Sequence, residues 1–148
     1  MLYKILVILH LLGAAVLVGT NLVLLLSVIP KAKKAGDVGV IRGFLAGVGQ
    51  AGVHGLAVQF VTGLWLATPQ FKGISAAFQM KEVFATHVAA KLVIAIVITV
   101  LVVVMRRRIA PKLSMETLGS FTAMVGTITV LGVLLVALGV GLRTGGLF

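Results

Sequence analysis

Cysteine is absent from this 148-residue chain, and only three residues are acidic: Asp37, Glu82 and Glu116. Without a thiol there is no disulfide, no thiolate zinc or iron–sulfur site and no cysteine nucleophile. The carboxylates are scattered, so no pair is available for general acid–base chemistry. Asp37 and Ser114 read instead as helix caps. Phosphate loops and dinucleotide fingerprints are also missing. Charged residues make up 11% of the chain, against roughly 25% in soluble domains, so a water-facing surface cannot be assembled. What is there is apolar: 60% hydrophobic residues and a mean hydropathy of +1.22. The 13 lysines and arginines give a net charge of +10, yet they punctuate apolar runs and form no stripe. That pattern argues for topology signals and lipid head groups, and against nucleic acid.

Four runs are long enough to cross a bilayer, which takes about 20 apolar residues. They cover Tyr3 to Ile29, Ile41 to Ala67, Val83 to Met105 and Thr117 to Leu142. The first stops at Pro30 and is too long for a signal peptide, so it is read as retained. The first and third connections hold eight basic residues, Lys31, Lys33, Lys34, Arg42, Arg106, Arg107, Arg108 and Lys112. The opposite side holds four, Lys4, Lys72, Lys81 and Arg143. The positive-inside rule then puts both termini outside. Within the second connection, Phe71, Ile74 and Phe78 fall at helical spacing and predict an amphipathic segment over 70–80 on the outer surface. The expected fold is all-α, a single domain forming an up-down-up-down four-helix bundle in a cytoplasmic or inner membrane. Small residues such as Gly52, Gly55 and Gly63 let its helices approach closely.

Polar side chains inside such spans are costly and point to function. All three histidines, His10, His54 and His87, fall inside the runs, as does Lys91. At a rise of about 1.5 Å per residue, His10 lies roughly 10 Å and His87 roughly 8 Å below the outer ends of their helices. In an up-down bundle the first and third helices are diagonal, so two imidazoles at matched depth suit the axial positions of one haem. Lys91, one turn beyond His87, reaches outward to pair with a propionate, or alternatively with backbone carbonyls or Asn21. Tyr3, His10 and Asn21 share a stripe that should face the bundle interior. His54 lies near mid-membrane on a face with Gln50 and Trp65 that should point at protein. It serves as a neighbour of the site, a relay or a packing residue, or pairs with Met124 around a second haem.

The run His10-Leu-Leu-Gly-Ala-Ala-Val-Leu-Val-Gly-Thr with Pro30 behind it, the Thr62-Gly63 pair and Lys91-Leu-Val-Ile resemble the copper-resistance protein D family. They are also similar to the HemJ-type protoporphyrinogen oxidases, four-helix membrane proteins that bind haem b. The resemblance implies a haem held by His10, with Lys91 functional; His87 is additional to that pattern. The expectation is therefore a membrane haem b protein in redox chemistry or electron transfer. Its partners would be lipid, a quinone or porphyrin, and a redox subunit or a second copy. Two other readings are a porphyrinogen-oxidising enzyme and a copper transporter using His10, His54, His87 and methionines such as Met80, Met105 and Met124. A fourth is a structural subunit whose histidines only pack.

Overall fold

A computed structural model describes the backbone of residues 1–67 and 83–144, with the side chains of 67, 83–88 and 141–144 outside the described set. Among the described residues the chain is helical, with no strand. The elements are α1 (Leu2–Val23), α2 (Ile29–Ala35), α3 (Gly39–Ala46), α4 (Val48–Ala67), α5 (Val83–Val104) and α6 (Leu118–Thr144). The amphipathic segment expected over 70–80 lies outside the described residues.

The first run does not stop at Pro30. A single span continues from Leu2 to Ala35. Proline removes an amide donor and clashes with the carbonyl four residues back, and the chain absorbs this by widening one turn. Leu24–Val28 is a π-helical segment, and α2 starts behind it with Pro30 in its first turn. Pro111 repeats the arrangement: Met105–Ile109 is π-helical and a 3-10 turn, Ala110–Lys112, follows. α2 closes at Gly36, whose φ of 64° is left-handed. The amide of Asp37 then bonds to the carbonyl of Ala32 at 3.2 Å, completing a Schellman-type stop. The carboxylate of Asp37 accepts the Gly39 amide at 2.7 Å, but the N-cap of α3 is Val38, which has no side-chain cap, so Asp37 closes the turn before the helix and is not its cap.

The second run is broken. α3 and α4 meet at an angle of 46°, with Gly47 at φ −94° and ψ −97° between them. A residue without Cβ adopts this junction easily. Ahead of α6 the Ser114 and Thr117 side chains each accept the other's backbone amide, at 3.3 and 2.9 Å, so Ser114 closes the turn that leads into the helix and does not cap its first residue, Leu118.

Helix packing is led by α1 on α4, with α6 lying against both α1 and α5, while α4 and α5 touch only sparsely. α1 and α4 are antiparallel, since Gly52 meets Thr20, Gly55 meets Gly13 and Gly63 meets His10. At the basic end Arg42 donates to the Leu113 carbonyl at 2.7 Å and Arg106 to the Leu45 carbonyl at 3.1 Å. These bonds tie α3 to the π-helical turn behind α5 and to the segment that leads into α6. The best-packed side chains gather there, including Ile29, Ile41, Leu113 and Phe121.

Among the described residues three spans, Leu2–Ala35, Ala89–Lys112 and Leu118–Val140, are long and apolar enough to cross a membrane, and the bent α3–α4 pair makes a fourth if counted as one. Their most apolar windows are only 28%, 17% and 22% buried. Most of that apolar surface therefore faces outward, far more than a water-soluble monomer exposes. The chain is consistent with a multi-pass membrane protein.

Candidate functional site

The site forms where α1 and α4 come closest. A Cβ on Gly13 would stand 2.9 Å from the Gly55 carbonyl oxygen, and one on Gly55 would stand 3.0 Å from the Gly13 oxygen. Backbone therefore meets backbone, the close approach that small residues permit in membrane helices. One turn towards the N-terminus of α1, His10 projects onto the α4 segment Gln59–Thr62–Gly63. A Cβ on Gly63 would reach to 3.1 Å of the ring carbon Cε1. Gly63 is thus the floor on which the imidazole lies.

Hydrogen bonds hold both nitrogens of that ring against α4. Thr62 Oγ1 donates its one proton to the Val58 carbonyl at 2.6 Å. His10 Nδ1 lies 2.9 Å from the same oxygen, and with the hydroxyl proton given to Val58 the neutral ring would carry its proton on Nδ1. Nε2 is left with a lone pair, and Gln59 Nε2 donates to it at 3.1 Å. The other end of that amide, Gln59 Oε1, is buried with no hydrogen-bond partner among the described residues. Such an orphaned carbonyl costs about 1–3 kcal/mol. Imidazole ligands usually hold their distal N–H in a hydrogen bond, which orients the ring and raises its basicity. His10 has a hydrogen bond at Nδ1 of that kind, and the Gln59 amide is bonded to its Nε2. In donor chemistry the residues fit an axial haem ligand.

Lys91 reaches the same depth. Its Nζ lies 3.5 Å from where a Cβ on Gly139 would be. On the facing pair α1 and α6, Val18 meets Gly132. Counting the same seven residues along each antiparallel helix puts Gly139 level with Leu11. The ammonium is therefore at the height of His10. Asn21 is ten residues deeper than that level, about 15 Å. It donates to the Leu17 carbonyl at 2.8 Å, so depth rules it out as the partner of Lys91.

The other expected residues do not converge. His54 is exposed, and so are Gln50 and Trp65. The buried face of α4 is the glycine stripe through Gly52, Gly55, Gln59 and Thr62, and His54 falls with Val58, Val61 and Trp65 on the outward one. An exposed His54 is not turned towards Met124, which packs against the core. Tyr3 is exposed near the start of α1, so the α1 stripe faces inward only from His10 through Gly13 and Leu17 to Asn21. His87 belongs to α5, with its side chain outside the described residues. Among the described residues no three of His, Cys, Asp and Glu gather to hold a metal. Gln59 is the participant that sequence reasoning missed. Its signal was a polar residue in register with Gly52, Gly55 and Thr62. Comparison with protein-family models, curated proteins and solved structures gave no match.

Proposed function

We propose that this chain is a multi-pass membrane haem b protein that works in electron transfer. In this reading it is an up-down-up-down four-helix bundle of a cytoplasmic or inner membrane, with both termini on the outer side. Eight basic residues on one side against four on the other support that orientation. His10, through Nε2, and His87 would hold the haem, and Lys91 would place positive charge beside it. The observation that carries the reading is the pair of hydrogen bonds that holds the His10 ring against α4. In this reading the Thr62 hydroxyl is given to Val58, Nδ1 carries the ring proton, and Nε2, now bonded to the Gln59 amide, supplies the lone pair.

Bound haem supplies reversible one-electron chemistry, at a potential set by its ligands and their burial. The chain's own residues do the rest. Thr62 keeps His10 in the donor tautomer and fixes the ring plane. Gly63 leaves room for that plane. Gln59 moves its amide aside, which also releases its unsatisfied carbonyl. The test is the absorption spectrum of protein purified in detergent after expression with a haem supply. A Soret band with sharp α and β bands on reduction is expected, and His87→Ala should broaden or remove them. Colourless protein, with haem abundant in the host membranes, would remove this reading. Where haem is bound, porphyrinogen oxidation separates the enzyme from the carrier.

A second reading rests on one specific observation: both ring nitrogens of His10 are already hydrogen-bonded to α4. In it His10 is a staple between two membrane helices, and the polar cluster serves packing alone. Interhelical hydrogen bonds of this kind contribute about 1 kcal/mol each.

A further inference from the structure

Because α4 and α5 diverge, a cleft of about 350 Å³ opens between them. Leu56, Ala57 and Phe60 form one wall and Thr99, Val102 and Val103 the other. The walls are apolar, for the Thr99 hydroxyl is turned away to the Ala95 carbonyl at 2.8 Å. Along α4 the lining runs from Val53 to Val61, eight residues or about 12 Å. That is close to the hydrocarbon depth of one leaflet, about half of a 30 Å core.

The cleft has a polar end. It shares Val53 and Val102 with a smaller cavity of about 30 Å³, whose walls include Thr20, Asn21 and Arg106. The Arg106 guanidinium donates to Gln50 Oε1 and to the Leu45 carbonyl, each at 3.1 Å. Its remaining N–H groups are available, since arginine carries five. Arg107 and Arg108 are exposed, and neither has a hydrogen bond or ion pair among the described residues. A greasy trough one leaflet deep thus leads towards Arg106, with the exposed Arg107 and Arg108 next to it in the chain, in a protein with three acidic residues to neutralise thirteen basic ones.

We propose that the α4–α5 cleft binds one anionic phospholipid, with an acyl chain in the trough and its phosphate on Arg106, Arg107 and Arg108. Basic pockets between membrane helices on the cytoplasmic side suit such head groups, and that leaflet carries the anionic lipid. Guanidinium groups grip phosphate oxygens in pairs, which favours a phosphate over a lone carboxylate. A second copy of the chain is a poorer occupant. Seated on the same face about a twofold axis, it would bring two arginine triplets together. The inference rests on the reading of this chain as membrane-embedded, and it is independent of haem.

The test is native mass spectrometry of the full chain, extracted from membranes in detergent and mixed with phosphatidylglycerol or with phosphatidylcholine of the same acyl chains. The phosphatidylglycerol adduct is expected to be at least fivefold more abundant. It should fall about fivefold in Arg107→Gln/Arg108→Gln, which removes charge at constant length. It should fall as far in Ala57→Trp and in Val103→Trp, which fill the trough from opposite walls. Equal adducts for the two lipids overturn the inference, as do adducts that survive both tryptophan variants. Recovery of the chain in the soluble fraction overturns the membrane reading itself, whereas a membrane-extracted chain with no lipid preference overturns the cleft proposal alone.

Discussion

Gly55→Val is expected to destabilise the purified protein by about 3 kcal/mol, the upper end of what overpacking usually costs. The first added carbon would stand 3.0 Å from the Gly13 carbonyl oxygen, 3.1 Å from Val16 Cγ1 and 3.2 Å from the Leu17 amide nitrogen. Two of those three neighbours are backbone atoms and cannot rotate away. The helices would have to separate, and separation pulls His10 off Gln59 and Thr62 as well. Gly126→Ala is the control with the opposite sign. Nothing stands within 4 Å of a Cβ at Gly126, and glycine inside a helix costs roughly 0.5–1 kcal/mol relative to alanine. Thermal melting in detergent, followed by circular dichroism, should therefore fall for the first variant and rise for the second. Equal and small effects would mean that α1 and α4 do not meet at Gly13 and Gly55.

How much of this was legible in the sequence depends on which physical signal each feature uses. The spans were visible because hydropathy sums over 20 or more residues, so local errors cancel. The passage of the first helix through Pro30 was not visible. Proline reads as a stop, and only a widened turn at Leu24–Val28, invisible to any periodicity, lets the helix continue. The break at Gly47 was hidden for a different reason. The second run carries glycine at 43, 47, 49, 52, 55 and 63, and composition alone does not say which is the hinge and which are contacts. The basic residues flagged the end of the molecule at which the helix ends are tied together. They gave no hint that Arg42 and Arg106 do the tying, through backbone carbonyls 71 and 61 residues away.

Within the site the same logic decides. His10 stood out because a lone imidazole in an apolar run needs a partner, and Thr62-Gly63 was already marked as a pair. Gln59 was overlooked and His54 overrated for one reason. When every face of a helix is apolar or glycine, hydrophobic periodicity cannot choose the buried side. The choice is made instead by the Gly13–Gly55 contact, a long-range fact. It places Gln59 against His10 and turns His54 outward one residue away. Depth was easier to read than azimuth. The reach of Lys91 to the level of His10 follows from its long stem and the direction of α5, both of which the sequence contains.

His10→Ala and Gln59→Leu, taken together, separate the two readings of the site. Removing the imidazole leaves Gln59 with neither end of its amide paired and opens a void beside Gly63. The expected loss is about 3 kcal/mol, from a further unsatisfied buried group and a cavity. In the haem reading the Soret band disappears with it. Gln59→Leu does the reverse. It deletes an orphaned buried carbonyl and gives up one N–H···N bond worth about 1 kcal/mol, so stability should hold or rise. It also clears Nε2, so haem should be retained, and bound at least as tightly as in the parent, because no amide competes for the lone pair. Thr62→Val tests the remaining link. Without the acceptor at Oγ1 the Nδ1 proton loses its partner and the ring its orientation. A shifted potential with the absorbance retained is expected, the response of a ligand whose supporting bond has been cut. If Gln59→Leu instead lowers the melting temperature as much as His10→Ala and leaves the spectrum without a Soret band, the amide is a structural member of the interface. His10 is then a staple between α1 and α4, and no lone pair is held ready for iron.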